Sequence, residues 1–179
     1  MSTRLRSSPR PSRRLAEHAT EAAALPAGAV AAQEAALLRG LEGDHPAGYY
    51  RRAADLFGAG KRDEAVFVFY LGQLRYRTHL AARPELPRDR DAAAFASLSE
   101  VVGRPINEYA FGDLAALDRI LKAVMAYDAA YPDSFTPPAR YPEASRRIRD
   151  GMETFRRKLI TDAEQIRAGR VRNGLTNRN

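Results

Sequence analysis

Seven consecutive apolar residues, Ala65-Val66-Phe67-Val68-Phe69-Tyr70-Leu71, restrict what this chain can become more than any other feature. Valine and phenylalanine favour strands, so a buried strand competes for the segment. Length decides between the two. The stretch continues through Gln73, Leu74, Arg75, Tyr76 and Arg77 to Leu80 and Ala82 without a breaker, too long for an ordinary strand and normal for a helix. A helix that is apolar on nearly every side must be enclosed by neighbours. The expected fold is therefore all-α: a compact bundle of about six helices with Ala65–Ala82 buried at its centre. The far end of that helix is amphipathic, which places Arg75, Arg77 and His79 near the surface.

The flanking segments supply the neighbours. Asp44-His45-Pro46 reads as a helix start, with Asp44 as a capping side chain and proline near the first helical position. The helix from about Ala47 to Ala59 places Tyr49, Ala53, Leu56 and Phe57 at helical spacing and ends at Gly58-Ala59-Gly60. After Pro84 and Pro87, Asp89 or Asp91 reads as the cap of a helix carrying Phe95, Leu98, Val101 and Val102. Gly103-Arg104-Pro105 interrupts it, and Ile106–Phe111 forms a short helical turn. Asp113 caps the next helix, where Leu114, Leu117, Ile120, Leu121, Val124 and Met125 share a face. Three prolines between Asp128 and Tyr141 predict a loop that carries Tyr131, Phe135 and Tyr141. Pro142 opens a long final amphipathic helix ending near Gly169. Its seam of Ile148, Met152, Phe155, Leu159, Ala163 and Ile166 is expected to pack on the protein's own core. The domain plan is a disordered basic tail over 1–14, one helical domain over 15–170 and a flexible tail over 171–179.

Charge is unevenly placed. Arg4, Arg6, Arg10, Arg13 and Arg14 stand at the N-terminus with no acid, and residues 140–179 hold eleven Lys/Arg against five acids. The intervening body is mildly acidic. Basic ends of this kind attract acidic partners and keep a protein dissolved. Cysteine is absent, which removes disulfides, thiolate nucleophiles and cysteine-ligated zinc. No stretch reaches the ~18 uncharged apolar residues that cross a bilayer. Ser12-Arg13-Arg14-Leu15 has the twin-arginine pattern of an export signal, but Glu17, His18 and Glu21 break the apolar region that should follow. A cytoplasmic location is expected.

Residues 49–76 resemble a single tetratricopeptide-type helical hairpin. Ala53 and Leu56 occupy the first helix's packing positions, Gly60 the turn, Ala65 the close-contact position of the second helix, Phe69 one turn later, and Gly72 a further small-residue position. No second copy follows at the 34-residue period, so the resemblance implies a hairpin and not a stacked superhelix. The short, helical, arginine-rich chain also resembles small bacterial immunity-type proteins in general style.

Local catalytic signatures are absent. His18, His45 and His79 are widely separated and form no HExxH or His-x-His pair. Neither GxGxxG, GxSxG nor a Walker-type loop occurs, since Gly58-Ala59-Gly60-Lys61 lacks both the preceding strand and the hydroxyl residue. Asn107 and Glu108 can line a polar pocket with Arg75 or Arg77, although a structural role is expected for them. These observations predict a non-enzymatic protein-binding module of immunity or antitoxin type, occluding an effector with an acidic surface. A nucleic-acid-associated protein and a small enzyme with a non-local Asp/Glu/Arg site are the alternatives. The expected contact residues are Arg75, Tyr76, Arg77, His79, Tyr131, Phe135, Tyr141, Arg156 and Arg157, because tyrosine and arginine favour interface centres. No catalytic residue, metal ligand or cofactor is assigned.

Overall fold

The computed structural model describes residues 35–178, and the expectations for the basic tail and most of Leu15–Leu38 lie outside them. Among the described residues the chain is all-α: α1 (Ala47–Gly58), α2 (Arg62–Ala82), a π-helical turn (Arg88–Ala92), α3 (Ala93–Val101), α4 (Gly103–Ala110), α5 (Leu114–Ala130), α6 (Pro142–Thr161) and α7 (Ala163–Arg172).

α2 is the axis on which the others are hung. Every residue from Ala65 to Tyr76 is buried, and α1, α4, α5 and α6 all pack against it. The apolar run is thus helical and enclosed. Because enclosure is complete, Arg75, Tyr76 and His79 are also buried, at 5%, 0% and 3% exposure, and do not reach an outer face. Only Arg77 of the expected quartet is exposed.

α1 and α2 form a hairpin closed by a left-handed glycine. Gly60 has φ +80°, and Gly60 and Lys61 donate their amides to Phe57 O and Leu56 O at 3.1 and 2.9 Å. That pair of bonds satisfies the last carbonyls of α1, and glycine alone adopts the required backbone without strain. At the start of α1, Asp44 does not cap. His45 Nδ1 instead accepts from Ala47 N at 3.2 Å. Asp91 does not cap α3 either, since the π-helical turn runs straight into that helix and frees its carboxylate for other partners.

Asp113 does cap α5, accepting from Ala116 N at 2.8 Å. Asp113→Ala should therefore lower stability by about 1 kcal/mol, read as a shift in the urea midpoint at constant slope. α5 runs on to Ala130, so Asp128 lies on a helix and not in the loop. The seam of α6 and α7 packs on the core through buried Met152 and Leu159, with Ile148, Phe155, Ala163 and Ile166 half-buried beside them. The helix expected to run unbroken from Pro142 is interrupted at Asp162. Beyond α7 the chain returns to the body, where Arg178 donates its backbone N–H to Gly112 O at 2.7 Å and its guanidinium to Tyr109 O at 2.6 Å.

Candidate metal centre

The antiparallel α1–α2 hairpin places the beginning of α1 beside the end of α2, and this brings two distant histidines together. His45 precedes α1, His79 lies in the last turn of α2, and Asp91 reaches both from the π-helical turn. One ligand atom from each residue falls within 4.8 Å of the other two. His79 Nε2 is 3.0 Å from Asp91 Oδ2, and His45 Nε2 is 3.7 Å from Asp91 Oδ1.

The surroundings hold the rings in place. His45 and His79 meet edge to face at 5.4 Å, and Phe135 packs against both at 5.3 and 5.1 Å. Tyr76 packs edge-on to His45 at 5.1 Å and donates its hydroxyl to Asp91 O at 3.1 Å. On its far side, His79 Nδ1 lies 3.5 Å from Thr136 Oγ1, which is fully buried. Asp133 orders this loop by accepting from Phe135 N and Thr136 N at 3.2 and 3.0 Å.

One atom in the cluster has a polar neighbour but no hydrogen bond. His45 Nε2 is shut away from solvent and makes no hydrogen bond, although its ring as a whole is 38% exposed. That atom faces Asp91 Oδ1 at 3.7 Å, longer than a normal hydrogen bond. Electrostatics favour the neutral imidazole, whose proton sits on Nε2 while Nδ1 accepts from Ala47 N. Burial pushes His45 below the ordinary histidine range, with Asp91 opposing and His79 adding to the shift. The His79 imidazole beside it holds Asp91 below the usual carboxylate range against the effect of burial. Neutral imidazole and ionised carboxylate are the forms that ligate metals.

This convergence corrects the expectation that the chain has no metal-ligating set and is not an enzyme. His45 and His79 are far apart in sequence, yet the hairpin makes them neighbours. The remaining expected residues fall elsewhere. Arg75 is an internal cation, bonded to Asp128, Tyr49 and Tyr131 O. Tyr131 is exposed and lies tilted against Tyr127 at 4.7 Å, Phe135 packs on the two histidines of the candidate site, and Tyr141 lies under Arg83 and Arg140. Arg156 is tied to Asp118 and Glu153, whereas Arg157 is exposed and reaches Glu153 at 3.0 Å. Of the polar set expected around Asn107, Arg77 and Asn107 do line one cavity, without Arg75 or Glu108. Among the described residues no helix is long and apolar enough to cross a membrane. Comparison with protein-family models, with curated proteins and with solved structures finds no match.

Proposed function

We propose that this chain is a small metal-dependent hydrolase in which His45, His79 and Asp91 hold one divalent transition-metal ion. The observation that carries the reading is the convergence of the three donor atoms within 4.8 Å of one another. Two imidazoles and a carboxylate suit zinc, iron or manganese better than calcium or magnesium. Three protein ligands are also the usual complement of a catalytic zinc site, which keeps a further position for water or substrate. A bound ion of this kind lowers the pKa of its water to about 7 and polarises a carbonyl or phosphoryl oxygen.

The chain's own groups then divide the work. His79 Nε2–H donates to Asp91 Oδ2 at 3.0 Å, so a bound ion would take the place of that proton, and Nδ1–H would then face Thr136 Oγ1, 3.5 Å away. His45 must carry its proton on Nδ1, so the Ala47 amide gives up a 3.2 Å bond, at a cost of about 1 kcal/mol. Phe135 and Tyr76 exclude water from one side, while the half-exposed His45 and Asp91 leave the other open. Arg51 acts on His45 electrostatically and has no ion-pair partner among the described residues. It favours a substrate with negative charge beside the scissile bond.

Titration of the full chain with Zn²⁺ should show one site and a rise in thermal midpoint, the signature of a ligand that binds only the folded state. His45→Ala removes a half-exposed ring and should leave the metal-free fold intact while weakening zinc at least a hundredfold. Hydrolysis of p-nitrophenyl phosphate or acetate by the zinc-loaded chain should fall to background in that variant. The reading is lost if His45→Ala binds zinc as tightly as the parent, or if no one-to-one uptake occurs.

A further inference from the structure

The opposite flank of α2 carries a second feature. Phe69, Tyr70, Gln73 and Arg77 recur at helical spacing on one face, and Arg77 and His79 point to opposite sides of the helix. Beside that face a cavity of about 410 Å³ opens between α2, α4 and α6. None of the three metal-centre residues lines it. Its volume falls within the range of small-molecule sites.

The walls are aromatic and the mouth is cationic. Tyr70 and Phe155 stack at 6.1 Å with 26° between their planes, Phe111 tilts against Phe155, and buried Met152 lies beside them. Arg147 stands exposed at the edge and has neither ion pair nor hydrogen bond among the described residues. Arg77 is also exposed, held by Gln73 Oε1 at 2.9 Å through its Nε and lying over Phe95 at 5.3 Å. Deeper in, Asn107 Oδ1 accepts from the Tyr70 hydroxyl at 3.0 Å. No carboxylate lines the cavity.

Gly151 keeps the space clear. It lies in mid-helix, where glycine costs about 1 kcal/mol relative to alanine, and a Cβ built there meets nothing within 4 Å. Gly151 is itself exposed and lines the cavity, so a larger residue there tests its edge.

We propose that this cavity is a ligand site separate from the metal centre, taking a small flat apolar molecule that bears one anionic group, in the chemical class of aromatic carboxylates. The aromatic walls take up the apolar body, and the guanidinium of Arg147, with that of Arg77 beside it, receives the anion in the planar geometry that suits a carboxylate. The inference does not rest on metal binding, and its test uses the full chain without added metal.

The probes are 2-naphthoate and its neutral counterpart 2-naphthylmethanol, titrated calorimetrically. Naphthoate should bind one-to-one and at least tenfold more tightly than the alcohol. Arg147→Ala, at an exposed position, should bring naphthoate down to the alcohol's affinity. Gly151→Leu should abolish binding of both while holding or raising the thermal midpoint, because leucine is the better helix former and enters empty space. Equal affinity for acid and alcohol, no binding at millimolar naphthoate, or binding that survives Gly151→Leu would each overturn the assignment.

Discussion

Asp128→Ala is expected to destabilise the fold by about 3–5 kcal/mol, because it strips the nearest counter-charge from a buried guanidinium. Arg75 is 5% exposed and donates from Nε to Asp128 Oδ1 at 3.2 Å, from Nη1 to the Tyr49 hydroxyl, and from Nη2 to Tyr131 O at 2.7 Å. Burial alone would push the Arg75 pKa down, but Tyr49, Asp128 and Asp133 outweigh it and raise it. Burial holds the Tyr49 hydroxyl above its ordinary range, so at neutral pH it is an uncharged acceptor and the negative charge comes from the two aspartates. Asp128 also receives Arg149 from α6 at 2.8 Å, so one carboxylate joins α2, α5 and α6. Equilibrium urea unfolding should show the loss as a lower midpoint with unchanged slope. Pairing Arg75→Met with Asp128→Leu should recover more than half of it, since removing both charges leaves none stranded. A loss below about 1 kcal/mol for Asp128→Ala would mean that water reaches Arg75 and the network is a surface one.

The same network shows where the sequence was readable and where it was not. Run length points to α2, because a helix of 21 residues is far longer than an ordinary strand, and Asp113 announces its helix through ordinary capping chemistry. Enclosure, however, was carried only halfway. The seven apolar residues announce their own burial, whereas the polar tips of Arg75, Tyr76 and His79 read as surface groups, although a helix surrounded at its middle is surrounded one turn later as well. The candidate metal site has no local signature: His45, His79 and Asp91 come from three separate elements. A usable signal was still present. In an antiparallel hairpin turning at Gly60, residues at similar distances on either side meet, and His45 and His79 are such a pair. Asp91 carried no comparable sign, because nothing in Arg-Asp-Arg-Asp-Ala distinguishes a π-helical turn from a capped α-helix. The gap above Gly151 was equally hidden, since a lone helical glycine looks the same whether it faces a neighbour or an empty cavity.

Gly72 marks the second place where a single change should cost much. A Cβ there would lie 2.6 Å from Tyr49 Cβ and 3.4 Å from its Cγ. The obstacle is not a flexible tip: Tyr49 Cβ is fixed to the α1 backbone, so the whole helix must move away. Gly72→Leu should therefore destabilise by about 3 kcal/mol, the upper end of what overpacking costs in a closed core. Gly72→Ala should also lose stability even though alanine is the better helix former. Gly58 and Gly151 are the controls, because a Cβ at either meets nothing within 4 Å and neither has a positive φ. Their alanine variants should gain about 0.5–1 kcal/mol. Displacing α1 also pulls the Tyr49 hydroxyl from Arg75, so Gly72→Leu and Asp128→Ala act on one shared arrangement. Their combined loss should fall short of the sum of the two by more than about 0.5 kcal/mol, the scatter expected for independent sites. Strict additivity would show that α1 yields by bending locally and leaves the Tyr49–Arg75 contact intact. In that case hairpin packing and the buried charge would be separate sources of stability.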